Sequence, residues 1–360
     1  MMKNYFLFVV AVLFLMAACQ PKPKEKLVVQ ARWTEEQAQQ WSAENGWLRG
    51  SNFNPSTAIN QLETWQAESF DTATINRELG WAAGIGMNVM RVYLHHLAWQ
   101  VDQEGFKNRM GTFLNIAEKH GIKAVFVIFD DCWNPTYQAG KQPDPKPGVH
   151  NSGWVRDPGD LLFQDSTLIN VLESYVKDVL TTFKDDKRIV IWDLYNEPGN
   201  SGYGNKSMPL LKKVFEWAWE IRPSQPLSVG VWSLPLSDLN KFQVENSDII
   251  TYHNYEGPEK HQAAIDTLKR YNRPMVCTEY MARRNNSLFT NIMPMLKENN
   301  IGAINWGLVD GKSNTKYAWA EPIADGSEPP LWFHEIFRND GTPYKQEEVD
   351  LIKSLTGKSE

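Results

Sequence analysis

Two glutamates in this sequence sit in matching contexts. Glu197 closes the stretch Ile189-Val190-Ile191-Trp192-Asp193-Leu194-Tyr195-Asn196-Glu197-Pro198, and Glu279 closes Pro274-Met275-Val276-Cys277-Thr278-Glu279-Tyr280. Each is a short apolar run with β-branched residues, which reads as a buried strand ending on a carboxylate. Pro198 cannot donate to a ladder and biases the residue before it toward an extended backbone, so the first strand ends there with Glu197 extended. Two carboxylates held at the ends of core strands suit acid–base and nucleophilic work on a glycosidic bond, where one protonates the leaving oxygen and the other acts from the opposite face of the sugar. A plainer reading also fits the first stretch: Asn-Glu-Pro suits a strand-to-helix turn, with Pro at a first helical position.

Something must place those strand ends side by side. The chain alternates short apolar runs with longer amphipathic ones. Strands are expected over Trp47–Phe53, Asn88–Leu94, Lys123–Asp130, Ile189–Asn196, Pro226–Trp232, Asp248–Tyr255, Pro274–Glu279 and Ile301–Val309. Helices are expected over Thr34–Asn45, Asp71–Gly86, Gly105–His120, Asp165–Phe183, Ser207–Ile221, Pro258–Tyr271, Ser287–Asn299 and Tyr344–Leu355, with a short helical piece over Pro235–Val244. The first of these carries Thr34 as N-cap. Eight strand–helix units in one chain of 360 residues predict a single-domain α/β fold, a (β/α)8 TIM barrel over residues 34–360. An open doubly wound sheet is the competing architecture, but no Gly-rich dinucleotide fingerprint follows the first strand.

In such a barrel the carboxyl ends of the strands converge on one pocket. The residues there include Asn52 and Asn54, then Arg91, His95 and His96, then Asp130, Asp131 and Trp133. Asn196, Glu197, Trp232, His253, Tyr255, Glu279 and Trp306 complete the ring. This is a polar cup with aromatic walls, suited to sugar hydroxyls and ring faces. The chain has 15 Trp and 12 Tyr, most of them expected as buried mass and a minority as platforms for sugars. Two segments at this end are long: Asp131–Asp160, with Trp133, Tyr137, His150 and Trp154, and Asp310–Leu331, with Lys312, Tyr317 and Trp319. Loops of that length are usually functional. Were one to block the cleft, the arrangement would suit an exo-enzyme trimming oligosaccharides.

Charge is 37 basic against 43 acidic residues, and no basic run suggests nucleic acid. There is no helical His-Glu-x-x-His and no paired-Cys spacing, so neither a catalytic metal nor another cofactor is expected. Arg91 also reads as a structural ion pair, His253 as a satisfied core histidine, and Cys132 and Cys277 as small buried residues.

Here the motifs add up to a resemblance. Arg-Val-Tyr on strand two, Tyr-Asn-Glu-Pro on strand four, His-Asn-Tyr on strand six, Thr-Glu-Tyr on strand seven and Asn-Trp-Gly on strand eight resemble, in order, the retaining glycoside hydrolases of clan A. Family 5, the cellulase-type branch, is the most similar. The resemblance spans Trp47–Val309. It implies Glu197 as acid/base, Glu279 as nucleophile, Asn196 on the sugar 2-hydroxyl, Arg91 bracing and Tyr255 hydrogen-bonding the nucleophile, and His253 and Trp306 lining the attacked sugar's subsite. His96, Trp133 and Trp232 are further candidates for substrate contact. The loop after strand two departs from the pattern, with a His-His pair where the family has one His. Arg91 would favour the ionised form of Glu279, while a less charged, partly desolvated site would raise the pKa of Glu197. The implied reaction is hydrolysis of β-linked glycans with retention, on a carbohydrate substrate. A transglycosylase on the same site and a non-catalytic glycan-binding lipoprotein are the alternatives.

The first residues stand apart from the barrel. Lys3 precedes the apolar run Tyr5–Met16, and Ala17-Ala18-Cys19 follows. The run is too short for a stable transmembrane helix and reads as a signal peptide over 1–19. The small residues before Cys19 resemble a bacterial lipoprotein cleavage site, with Met16 where Leu is usual. Cys19 would then be acylated, residues 20–33 would form a tether, and the protein would sit in the cell envelope, held to the membrane by its lipid alone.

Overall fold

The computed structural model describes residues 32–233 and 237–358. Eight parallel strands form one sheet: β1 (Arg49–Asn52), β2 (Val89–Tyr93), β3 (Lys123–Asp130), β4 (Ile189–Asn196), β5 (Leu227–Ser228), β6 (Ile250–His253), β7 (Met275–Glu279) and β8 (Gly302–Asn305). Their spatial order is β5-β4-β3-β2-β1-β8-β7-β6. The two ends meet at one bridge, Val231 opposite Tyr252. There the Val231 N–H donates to Thr251 O at 3.0 Å and the His253 N–H to Val231 O at 2.8 Å. The sheet is therefore closed into the expected (β/α)8 barrel.

The strands read from long apolar runs, β3 and β4, lie where the sequence predicts. β1, β5, β6 and β8 are shorter than expected: at their carboxyl ends Trp232, Tyr255 and Trp306 leave the ladder for the cleft, and at their amino ends Leu48 and Ile249 pack at the base of the barrel. β5 keeps only two paired residues. The wall of the barrel is apolar on its outer face and in the amino half of its interior, which is why its strands read as largely hydrophobic runs. On β3, Ala124 and Phe126 pack outward against the helices, while Val125 joins the interior.

The amino end of the barrel is sealed by the helix Glu35–Asn45. Ala38 packs with Leu48, Val89, Val125, Ile191, Ile249, Val276 and Ile304, with Trp33 and Trp41 against them. A capping box fixes its start, Thr34 Oγ1 accepting from the Gln37 N–H at 3.2 Å and Gln37 Oε1 from the Thr34 N–H at 2.9 Å. The expected tether ends in two docked residues. Arg32 donates to Ser247 O and Val244 O, both at 2.8 Å, and the Trp33 N–H donates to Asp248 Oδ1 at 2.7 Å. Cys19 and the leader lie outside the described residues. Among the described residues, no helix is long and apolar enough to cross a membrane.

Candidate active site

With the amino end plugged by apolar side chains, the carboxyl half of the barrel interior is polar. Arg91 projects inward from the centre of β2 and is fully buried. Its Nη1 donates to Glu279 Oε1 at 2.7 Å and to Asn52 Oδ1 at 2.8 Å. Its Nη2 donates to Asp193 Oδ2 at 2.8 Å and to Asn196 Oδ1 at 2.7 Å. A guanidinium fork can serve several acceptors at fixed angles, which an ammonium cannot. The bracing and ion-pair readings of Arg91 thus describe one network.

Glu279, at the end of β7, is 4% exposed. Besides Arg91 it accepts from the Tyr93 hydroxyl on Oε1 and from the Tyr255 hydroxyl on Oε2, each at 2.7 Å. Three donors on two oxygens suit a carboxylate.

Glu197 has a different setting. His253 Nδ1 lies 2.6 Å from its Oε1, the Cys132 thiol donates to Oε2 at 3.3 Å, and Asn200 Nδ2 donates to Oε2 as well. Burial pushes this carboxyl up, but the hydrogen bonds and charge of His253, with those of Cys132 and Asn200, hold it below its usual value. The expectation of a raised Glu197 pKa is therefore corrected for the free chain, because three donors converge on the carboxyl that the sequence alone leaves unpartnered. The expected extended backbone at Glu197 is corrected too: its φ is +45°. The chain must turn at once after β4, so that the Gly199 N–H reaches Asp131 Oδ2 at 2.7 Å and the Asn200 N–H returns to Glu197 O at 3.0 Å. A left-handed glutamate costs about 1–2 kcal/mol, and here the turn carries Asn200 back onto the Glu197 carboxylate.

Asn196 sits between the two glutamates. Its Oδ1 accepts from Arg91, and its Nδ2 donates to Asp130 Oδ1 at 2.8 Å. Asp130 also accepts from Trp154 Nε1 at 2.7 Å and from the Cys132 N–H at 3.0 Å. Burial pushes Asp130 up to about 7. Asp131 accepts from Tyr195 and Ser207 and anchors the turn after Glu197.

These groups open on a cleft of about 840 Å³, within the size of small-ligand sites. Glu197, Glu279, Asn196, His253, Tyr255, Trp133, Trp232 and Trp306 all line it. Trp232 is oriented by its Nε1, which donates to Pro198 O at 3.1 Å. Arg91 lies beneath, behind Glu279. His96 is the predicted site residue placed elsewhere. It is 1% exposed, its N–H donates to Asp157 Oδ2 at 2.7 Å, and its Nδ1 bonds Asp157 Oδ1. His95 caps the short helix His96–Val101, accepting the Leu97 N–H on Nδ1 at 3.1 Å, and burial holds its pKa at about 4. The His-His pair packs against Asp157 and so holds the last part of the loop after β3.

Asp193, Tyr93, Cys132 and Asn200 were not among the predicted site residues. A signal for Asp193 existed: a charged residue in the middle of a buried strand demands a partner of opposite sign, and Arg91 is the other such residue. Asn200 had none, since only the turn geometry returns it to Glu197.

One carboxylate oxygen each of Glu197 and Glu279, together with a ring nitrogen of His253, lie within 4.8 Å of one another. Residues 49–312 match the family described as cellulase (glycosyl hydrolase family 5). No curated protein matches the chain. Among solved structures, it is similar to the endo-beta-1,4-mannanase from Thermotoga petrophila, at 14% identity over 88% of this chain and 77% of that one, with a TM-score of 0.57. It is also similar to GH5_18 from Streptomyces cattleya in complex with GlcNAc, at 11% identity over 87% and 80%, with a TM-score of 0.59. A glycoside hydrolase family 5 mannosidase from Rhizomucor miehei shares 14% identity over 87% and 93%, with a TM-score of 0.53. At these identities the likeness is one of fold. The family match covers the barrel from β1 to beyond β8 and includes all eight cleft-lining residues named above, and the chain belongs to glycoside hydrolase family 5.

Proposed function

We propose that the protein is a retaining glycoside hydrolase that cleaves β-linked glycans or oligosaccharides by double displacement. The observation that carries this reading is the spacing and unlike surroundings of the two carboxyls. Their nearest oxygens lie within 4.8 Å, a close approach that favours the short carboxyl separation of retaining sites, roughly 5–5.5 Å, over the longer one of inverting sites. Glu279, fixed in angle by Arg91, Tyr93 and Tyr255, attacks the anomeric carbon. As that bond forms, the bond to the leaving oxygen breaks, and Glu197 gives its proton to that oxygen. Glu197, now a carboxylate, takes a proton from water as the water's oxygen attacks the same carbon and frees Glu279.

His253 Nε2 is buried with no hydrogen-bond partner. Its Nδ1 lies 2.6 Å from Glu197 Oε1, a hydrogen bond that fixes the angle of that carboxyl. A bound sugar that excludes water and displaces Asn200 would raise the affinity of Glu197 for the proton it must deliver. Asn196, pinned by Arg91 and Asp130, presents its amide to the sugar 2-hydroxyl. Trp306 and Trp232 offer ring faces on either side of the scissile bond.

The test is hydrolysis of aryl β-glycosides, β-mannosides among the first because a fold neighbour is named a mannanase, with anomeric NMR of the products. First-formed β-anomer supports the reading, and first-formed α-anomer overturns it. The leader reading also stands as a proposal: Cys19 carries a lipid that holds the enzyme in the cell envelope. Cys19→Ala should then move the full chain from the membrane to the soluble fraction of the producing cell, and an unchanged membrane fraction would count against it.

A further inference from the structure

We propose that the cleft is walled off just beyond the sugar that Glu279 attacks, so that the enzyme removes single sugars from non-reducing ends. This rests on the roles given above to Glu279 and Glu197. The wall is built from three loops. The loop after β3 and the loop after β8 are joined by the Asn151 N–H to Ser313 O at 2.9 Å and the Ile323 N–H to Gly148 O at 3.0 Å. Asn314 Nδ2 adds a bond to Lys146 O at 3.1 Å, and His150 Nδ1 one to Tyr317 O at 2.8 Å. The approach is close enough to require glycine: Gly148 has φ +70°, and a Cβ there would lie 1.8 Å from Ile323 O.

The loop after β1 completes the barrier. The Lys312 N–H donates to Ser56 O at 3.0 Å, Lys312 Nζ pairs with Glu63 Oε1 at 2.7 Å, and Asn60 Nδ2 donates to Gly153 O at 2.9 Å. Loops carrying this many mutual backbone bonds act as a fixed part of the scaffold.

The wall stands on a definite side. Glu279 on β7 and Trp306 after β8 mark the place of the attacked sugar. Glu197, Asn200 and Trp232, after β4 and β5, mark the place of the leaving group. A bound glycan therefore runs from the β8 side toward the β4–β5 side. On the β8 side it meets Trp133, His150, Trp154 and Trp319, which line the cleft from the joined loops. Behind Trp154 and Trp306, toward Asn54 and Ser313, the remaining cavity is about 20 Å³. That holds about one water and no second sugar ring. The side given to the leaving group is lined by Asn200, Ser201, Trp232 and Lys260.

The experiment pairs two substrates for the full chain. Aryl triosides of β-linked mannose, glucose and galactose are offered with the non-reducing end free, or capped by a benzylidene acetal. The expected first product from the free trioside is a monosaccharide, and the capped trioside is cut at least about 100-fold more slowly, because the cap meets a fixed wall. Cleavage of both at rates within a few-fold, or a disaccharide as first product of the free trioside, overturns the proposal. If no trioside and no aryl monoglycoside is cut, the hydrolase reading fails on its own. The wall is then read by tryptophan fluorescence titration with free and capped triosides. Binding of the free form alone supports it, and equal binding of both, or of neither, overturns it.

Discussion

Arg91 and Asp193, 102 positions apart in the chain, form an ion pair at 2.8 Å in which both side chains are wholly buried. The same guanidinium reaches Glu279 at 2.7 Å, so one cation balances two carboxylates in the barrel interior. Removing one partner of such a buried set costs about 3–5 kcal/mol, because the charges left behind have no solvent. Arg91→Met should therefore lower the thermal midpoint and abolish turnover together. Arg91→Lys should keep more of the stability while losing most of kcat, since an ammonium cannot hold Glu279, Asn196 and Asp193 at once. Thermal unfolding beside kinetics checks this, and a fully active Arg91→Met variant would contradict the bracing role.

Glu279→Ala should abolish turnover, by about 10⁴-fold or more, while leaving circular dichroism unchanged. Near-normal activity on an activated aryl β-glycoside would remove Glu279 from the nucleophile's role.

Glu197→Ala should damage poor leaving groups far more than activated ones, because only the former need a proton. Azide should restore part of the rate on activated substrates and give a β-glycosyl azide. Equal loss on both substrate types, with no azide product, would argue against the acid/base assignment.

The environment of Glu197 predicts a pH profile. The acid must be protonated for the first step, and in the free chain burial raises its pKa less than His253, Cys132 and Asn200 lower it. Since kcat/KM reports the free enzyme, its basic limb should fall within the acid range, giving an acidic optimum. Asn200→Ala removes a donor to the ionised form, so the basic limb should move to higher pH. A limb that stays in place would show that Asn200 does not tune Glu197.

Glu335 offers a test on stability rather than activity. It is fully buried, and burial, with the charge of Asp310, pushes its pKa from the ordinary 4.5 up to about 8. The folded form keeps a proton that the unfolded chain releases, so this contribution is complete below pH 4.5 and is lost as pH rises toward about 8. Glu335→Gln should flatten that fall, so that the variant's thermal midpoint gains on the wild type as pH increases through this window. Parallel midpoint curves would exclude the titration of Glu335 as the cause.

Much of the barrel was legible because its period is local. Buried parallel strands read as apolar runs, their helices as amphipathic stretches, and a Glu at the end of each of two such runs is visible without any contact map. Order along the chain then predicts convergence, because a closed parallel barrel brings all carboxyl ends to one face. That determined Glu197, Glu279, Asn196, His253, Tyr255, Trp133, Trp232 and Trp306 as neighbours, and the barrel as their frame.

Other features depend on contacts between residues far apart in sequence, and only the tertiary structure decided them. His96 looked like a cleft residue by position, yet it turns inward because Asp157, 61 positions later, lies beside it as a buried partner. Glu197 takes a left-handed backbone because the chain turns at once after β4, and a lowered pKa because His253, Cys132 and Asn200 converge on its carboxyl. The wall across the cleft exists because Gly148 can approach Ile323, a contact between two loops that no spacing in either one records. Periodicity encodes which face of an element is buried. It does not encode which loop meets which, and here that meeting sets the shape of the cleft.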